Sequence, residues 1–276
     1  MKKMIIPIIM GAVGIFCFSA FAGGMGRTAL MNTQAAVGPG PGPGTQTVTG
    51  FAIGETCADE PAEKEKITQW DPERAAVPEN ALVMMTLEGG RGESSGTFRI
   101  YTRESGADGK PGSWNLALES AATCGKNGLY KEMEGDKKTP VGIFKMNTPF
   151  GVQAAQEGFP ENYIQVDDRY YWVGDSNSPM YNRFVREDIF PDFDRSSSEH
   201  LARYAGYYNY CIDTGYNPEG TPHKGSAIFL HCMVSGASTS GCVAIPEPQM
   251  IAAMRLYREG ATYMVIYDRE DIGAVY

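Results

Sequence analysis

The sequence predicts a mainly β domain with a few short helices, preceded by an N-terminal segment that lies outside it. Three observations carry that expectation. Short apolar runs of β-type residues recur from about Ala81 onward, among them ALVMMTLEG, GTFRIYTRE and SWNLALESA. Turn-rich stretches such as GGRGESS and SGADGKPG separate them, as Gly, Ser and Pro do between strands. Neither a repeat nor a βαβ alternation is present, which sets aside solenoids and doubly wound sheets.

In chain order, MKKMIIPIIMGAVGIFCFSAFAGG opens with Lys2 and Lys3, continues as an apolar run and reaches the small-x-small site Ala20-Phe21-Ala22. That pattern predicts a secretory signal peptide over residues 1–22, and hence export to a periplasm, cell wall or extracellular space. A transmembrane anchor is the alternative, but Pro7, Gly11 and Gly14 interrupt a run that barely reaches the roughly 20 residues a bilayer requires. A lipoprotein reading is weaker, because GIF before Cys17 lacks the usual small residues. Residues 23–78 read as a linker and leader. VGPGPGPGTQTVTG has no apolar spacing and cannot bury enough surface to offset its ordering entropy. ADEPAEKEKITQWDPERAAVPEN is charged and reads as mostly loop with one short helix.

Residues 79–268 form the predicted domain, large enough for a proper core. Its strand pattern continues through TPVGIFKMN, YYWVGDS, YYNYCIDTGYN and GSAIFLHCMV. A helix is predicted near PEPQMIAAMRLYREG, with proline at its start, Met250, Met254 and Tyr257 along one face, and Gly260 as a stop. TYMVIYD supplies a last strand, and 269–276 read as a tail.

The formal charge is −9, and removal of Lys2 and Lys3 with the signal would take it to −11. Without a Lys/Arg cluster, such a chain has no electrostatic reason to bind nucleic acid. No later stretch is apolar enough to span a membrane, so no stable insertion is expected after signal cleavage. Of six cysteines, Cys17 would leave with the signal and Cys57, Cys124, Cys211, Cys232 and Cys242 would remain. An odd number in an oxidising compartment leaves one thiol unpaired. If YYNYCIDTGYN and GSAIFLHC pair as a hairpin, Cys211 and Cys232 fall nearly opposite, within the roughly 4.4–6.8 Å Cα separation a disulfide tolerates. A Cys211–Cys232 bridge is therefore expected, with Cys57–Cys124 the remaining possibility.

The chemistry concentrates near the C-terminus. GSAIFLH is an apolar strand ending on His231, and eleven residues later Cys242 follows Gly241 in STSGCVAI. A nucleophilic cysteine needs a base or cation beside it, because its free pKa is about 8.5. It also needs backbone N–H groups aimed at the oxyanion formed on attack of a carbonyl. A glycine before it permits the tight backbone that presents them. On chemistry alone, a structural role for Cys242 is equally open.

These residues resemble the L,D-transpeptidase (YkuD-type) catalytic domain family, whose signature is a strand ending in His, a variable loop, then Ser/Thr-His-Gly-Cys. His231, Thr239, Ser240, Gly241 and Cys242 occupy the matching positions. Upstream, CGKNGLYKEMEGDKKTPVGIFKMNTPFGV is similar to the family's Gly-x-x-G and Asp-x-x-Thr-Pro-x-Gly-x-Phe stretch, and the resemblance covers roughly 80–268. It implies a β-sandwich or barrel with Cys242 as nucleophile and His231 as general base. The carbonyl of Cys232 would orient the imidazole, and the N–H groups of Gly241 and Cys242 would form the oxyanion hole. The implied substrate is a peptidoglycan stem peptide, attacked before its terminal D-amino acid and passed to an amine or to water. No metal or organic cofactor is implied. Two departures stand out: Ser240 replaces the motif histidine, and Ala244 replaces an Arg or Asn often found there. The first removes a possible second imidazole, and the second removes a polar group that could read substrate.

Other candidates rank lower. Cys232 neighbours His231 on a strand, so its side chain should point to the opposite face. His200, in SSSEHLARY, reads as the first turn of a short helix, and His223 as a solvated loop residue. Asp136, Lys138 and Thr139 read as turn chemistry, and the aromatic runs YYWV and YAGYYNY as core. An L,D-carboxypeptidase, another cell-wall cysteine peptidase or amidase, and a non-catalytic envelope-binding domain are the alternative functions.

Overall fold

The structure, a computed structural model, describes residue 67 and residues 69–106, 109–235 and 237–276. The expected signal peptide, the Pro-Gly linker and Cys57 lie outside the described residues. The fold is mainly β. Its strands are β1 (Val83–Gly89), β2 (Ser95–Thr102), β3 (Asn115–Thr123), β4 (Gly142–Lys145), β5 (Pro149–Gly151), β6 (Ile164–Gln165), β7 (Tyr170–Trp172), β8 (Phe184–Arg186), β9 (Glu199–His200), β10 (Cys211–Asp213), β11 (Phe229–Cys232), β12 (Val243–Ile245) and β13 (Thr262–Asp268). Ten of them form a curled sheet in the order β4-β13-β1-β2-β3-β12-β11-β10-β5-β6, and β8-β7-β9 form a small second sheet.

Alternation along the strands builds two packed faces. Val83, Met85 and Leu87 of β1 join Phe98, Ile100, Met264 and Ile266 in the main core. Helix α1 (Glu247–Leu256) covers that core with Met250, Ala253 and Met254, and Tyr257 follows at its end, on the face the sequence pattern indicated. Met84, Tyr101, Val265 and Tyr267 turn the other way. Strand β13, parallel to β1 from Val83↔Thr262 to Gly89↔Asp268, is therefore buried along its whole length.

What covers that second face changes the domain boundaries. The Trp70 ring stacks on Tyr267 at 4.4 Å and 9°, with Ile67, Ala75 and Val77 beside it. A 3-10 helix at Ile272–Val275 adds Ile272 and Val275 from the other end of the chain. The end of the charged leader and the C-terminal tail are thus part of the domain, which extends beyond 79–268 on both sides. The density of charge in DPERAAVPEN obscured this. An apolar strand face left in water would cost about 25 cal/mol per Å² of apolar surface, and these flanking residues remove it from solvent. The short helix expected in the leader is a 3-10 turn, Pro72–Arg74, capped by the Asp71 side chain accepting from the Glu73 amide at 3.0 Å.

The expected Cys211–Cys232 disulfide is absent. Strands β10 and β11 do pair as antiparallel neighbours, but in the register Cys211↔His231, Ile212↔Leu230 and Asp213↔Phe229. One residue of offset reverses the face. Cys232 packs into the main core near Met250, whereas Cys211 packs with Phe150, Phe229 and Cys242 on the opposite side. Cys124, Cys211, Cys232 and Cys242 are all buried free thiols. Among the described residues, no helix is long and apolar enough to cross a membrane.

Candidate active site

Strands β11 and β12 run parallel, with Leu230↔Val243, His231↔Ala244 and Cys232↔Ile245 in register. Leu230, Cys232, Val243 and Ile245 face the main core. Alternation then puts Phe229, His231, Cys242 and Ala244 on the other face. His231 and Cys242 thus share one face of adjacent strands, two residues apart in register, and both line a cavity of about 640 Å³. The Cys232 thiol points away from that cavity and lies 3.6 Å from the Tyr210 carbonyl.

The imidazole is held in one orientation. His231 Nδ1 lies 2.9 Å from the Cys232 carbonyl oxygen. A carbonyl can only accept, so Nδ1 carries the proton and Nε2 is left as the basic nitrogen. The Tyr208 ring packs edge-on at 5.5 Å and 67°. Burial lowers the imidazole from 6.5 to about 4, against the opposing effect of the Cys232 carbonyl. Burial likewise pushes the Cys242 thiol up to about 12, and the Glu199 carboxyl adds to the rise. The resting pair is consequently a neutral thiol and a neutral imidazole, not an ion pair. Cys242 Sγ donates to the Ala227 carbonyl at 3.1 Å and accepts from the Phe229 amide at 3.3 Å.

The turn before Cys242 is pinned from two sides. The Thr239 hydroxyl donates to the Cys242 carbonyl at 2.7 Å and accepts from the Gly241 amide at 3.1 Å. Gly241 has φ +143°, and a Cβ there would sit 2.8 Å from the Lys138 carbonyl oxygen and 2.9 Å from Ile228 Cδ1. Both the backbone angle and the space therefore require glycine. Ser240 is exposed on the rim, and Ala244 lines the cavity beside His231.

Thr139 is the residue whose role the sequence reading missed. Its buried hydroxyl donates to the Gly241 carbonyl at 2.8 Å and accepts from the Gly125 amide at 2.8 Å. It clamps the upstream CGKNG turn to the cysteine loop. Asp136 does serve the turn, as expected. Burial alone would raise its carboxyl, yet the amides of Glu132, Lys138 and Met133 and the Lys131 ammonium bring it down to about 2. The Lys138 ammonium lies 3.7 Å from Glu132.

Asn182 and Glu199 were also missed. Asn182 Oδ1 accepts from the Trp172 indole at 2.8 Å and from the Ala227 amide at 3.1 Å. It thereby fixes the residue whose carbonyl receives the Cys242 thiol. Asn182 is buried at φ +58°, and nothing in the run YWVGDSNSPMYN by itself reveals either property. His200 stacks on Tyr171 at 4.6 Å, 3.6 Å from Asp168, and does not line the cavity. His223 sits in an exposed turn at φ +62°. Among the described residues no group of three or more His, Cys, Asp and Glu side chains forms a metal site.

A thiol, an imidazole with a fixed tautomer and a glycine turn open to one cavity are the components of nucleophilic acyl transfer. A family model described as YkuD, the L,D-transpeptidase catalytic domain, matches residues 111–266. The chain belongs to this family. No curated protein matches it. Among solved structures, that of Bdellovibrio bacteriovorus Bd1075 is similar at 14% identity and a TM-score of 0.36, over 70% of this chain and 50% of that one. The chain spans about half the length of that structure.

Proposed function

We propose that the protein is an exported acyl transferase of the L,D-transpeptidase type, acting on peptidoglycan stem peptides through a thioester on Cys242. The observation that carries this reading is the shared cavity of Cys242 and His231, with the imidazole fixed through Nδ1 and its Nε2 free to accept a proton. In the reaction, Cys242 Sγ turns from the Ala227 carbonyl toward Nε2 and gives up its proton as the sulfur–carbon bond forms. The carbonyl that accepts the sulfur lies before the terminal D-amino acid, and its oxygen becomes the oxyanion. The Cys242 amide meets that oxyanion, joined by the Gly241 amide once its 3.1 Å bond to Thr239 yields. The carbon–nitrogen bond breaks, His231 returns its proton to the departing amine, and the thioester remains. An amine acceptor then forms a new peptide bond and frees the thiol; water gives the shortened peptide instead.

Because both groups are neutral at rest, proton transfer accompanies attack instead of preceding it. The signal-like N-terminus supports an extracytoplasmic location, where that substrate is found. The test is intact mass and product analysis after incubation with a defined stem tetrapeptide, with and without an amine acceptor. A cross-linked product with acceptor supports the transferase. Only the shortened peptide in both arms indicates the carboxypeptidase, and no adduct in either arm contradicts the reading.

A further inference from the structure

The cavity carries two carboxyl groups and, among the described residues, no lysine or arginine lines it. Glu199 enters from β9, and its Oε2 accepts a 2.6 Å hydrogen bond from the Tyr208 hydroxyl. Glu134 enters from the upstream turn, where its Oε2 accepts from the hydroxyls of Tyr181 and Ser226 at 2.5 Å and 2.8 Å. Tyrosine and serine hydroxyls satisfy oxygens without supplying charge, and neither carboxyl forms an ion pair among the described residues. The nearby Lys131 ammonium is already held by Asp136 at 2.9 Å, with its side chain only 1% exposed. The aromatic side chains of Trp172, Tyr204 and Tyr207 complete the same lining, and aromatic faces attract cations. Glu134 is exposed and Glu199 half-buried. A carboxylate partly withdrawn from water without a cation is costly, and a ligand that brings one to Glu199 removes that cost.

Building on the acyl-transfer reading, we infer that Glu199 is a specificity-determining residue: it receives an ammonium group on the acyl-donor stem peptide and orients that peptide against Cys242. Ala244 supports this assignment. The position facing His231 across the ladder holds a small apolar side chain, so nothing from β12 occupies the space or neutralises Glu199. Burial and the neighbouring Glu134 also push the Glu199 carboxyl up to about 7 despite the Tyr208 hydrogen bond. An arriving ammonium would stabilise its ionised form. The same ammonium would offset the effect of Glu199 on the Cys242 thiol, coupling donor recognition to a more acidic nucleophile.

The experiment compares acylation kcat/KM for two stem tetrapeptides, by intact mass against time. In one, the residue before the terminal D-amino acid carries a free side-chain amine; in the other, a methyl group replaces the ammonium. The wild-type protein should prefer the amine by about 10- to 100-fold, the scale of one charge-assisted hydrogen bond. Glu199→Gln, which keeps an acceptor for Tyr208, should bring the ratio toward one by slowing the amine peptide relative to the methyl peptide, whatever the change common to both. A wild-type ratio of one overturns the inference without any variant, and so does a ratio unchanged in Glu199→Gln. No thioester with either peptide would overturn the acyl-transfer reading as well, whereas equal rates overturn this inference alone.

Discussion

The Thr139 hydroxyl donates a 2.8 Å hydrogen bond to the Gly241 carbonyl, across 102 positions of sequence, and accepts one from the Gly125 amide. The two motifs that the sequence holds apart therefore meet at a single buried oxygen. Thr139→Val keeps the shape and removes that oxygen, leaving a buried donor and a buried acceptor unsatisfied. We expect a loss of about 1–3 kcal/mol in urea unfolding, the usual cost of such groups. Acylation should slow with it, because the turn that presents Cys242 loses its clamp. Unchanged stability and rate would show that the contact positions nothing.

Gly241→Ala tests the turn itself. A Cβ at this position meets the Lys138 carbonyl oxygen at 2.8 Å and Ile228 Cδ1 at 2.9 Å, on a backbone angle that L residues rarely adopt. The backbone must shift, and the amides beside it move out of line with an oxyanion. Loss of one such donor costs about 10²–10³ in rate. Thioester formation should fall by at least the lower figure, followed by rapid-quench mass spectrometry, with the protein still cooperatively folded.

His231 should stay neutral well below the range of an exposed histidine. Burial lowers it to about 4, so its resonances in an NMR titration should hold still from pH 8 to about 5 and move near 4. The sign follows from linkage: the unfolded imidazole takes its proton near 6.5, so the folded protein loses this contribution as pH falls from there toward 4. A midpoint near 6.5 in the folded protein would mean that water reaches the ring, contradicting the buried neutral base.

Much of this was legible in the sequence. The runs from ALVMMTLEG to TYMVIYD became strands because alternation or continuous apolarity leaves few other ways to bury them. Met250, Met254 and Tyr257 marked the helix face for the same reason. His231 and Cys242 were legible because a strand-end histidine and a Gly-Cys turn are local features. What escaped was set by register and by distant partners. Whether Cys211 faces Cys232 or His231 depends on one residue of offset, which turn composition does not specify. Thr139 looks like any turn threonine until Gly241 is placed against it. Glu199 sits in the polar run SSSEHL, and only the second sheet carries it to the cavity wall.

The register also predicts the state of the thiols. Cys211 and Cys232 occupy opposite faces and should be recovered as separate alkylated peptides after unfolding under non-reducing conditions. A disulfide-linked peptide containing both would require a one-residue slip of β10 against β11 and would contradict the ladder described above.

The most direct measurement of the central claim is intact mass, with peptide mapping of the adduct, for the wild-type protein, Cys242→Ala and Cys232→Ser after exposure to a stem tetrapeptide. The wild-type protein should gain the acyl mass on the peptide containing Cys242. Cys242→Ala should gain none. Cys232→Ser should gain it at close to the wild-type rate, since that residue offers His231 a backbone carbonyl that the substitution retains. An adduct that persists in Cys242→Ala and disappears in Cys232→Ser would contradict the assignment of the nucleophile.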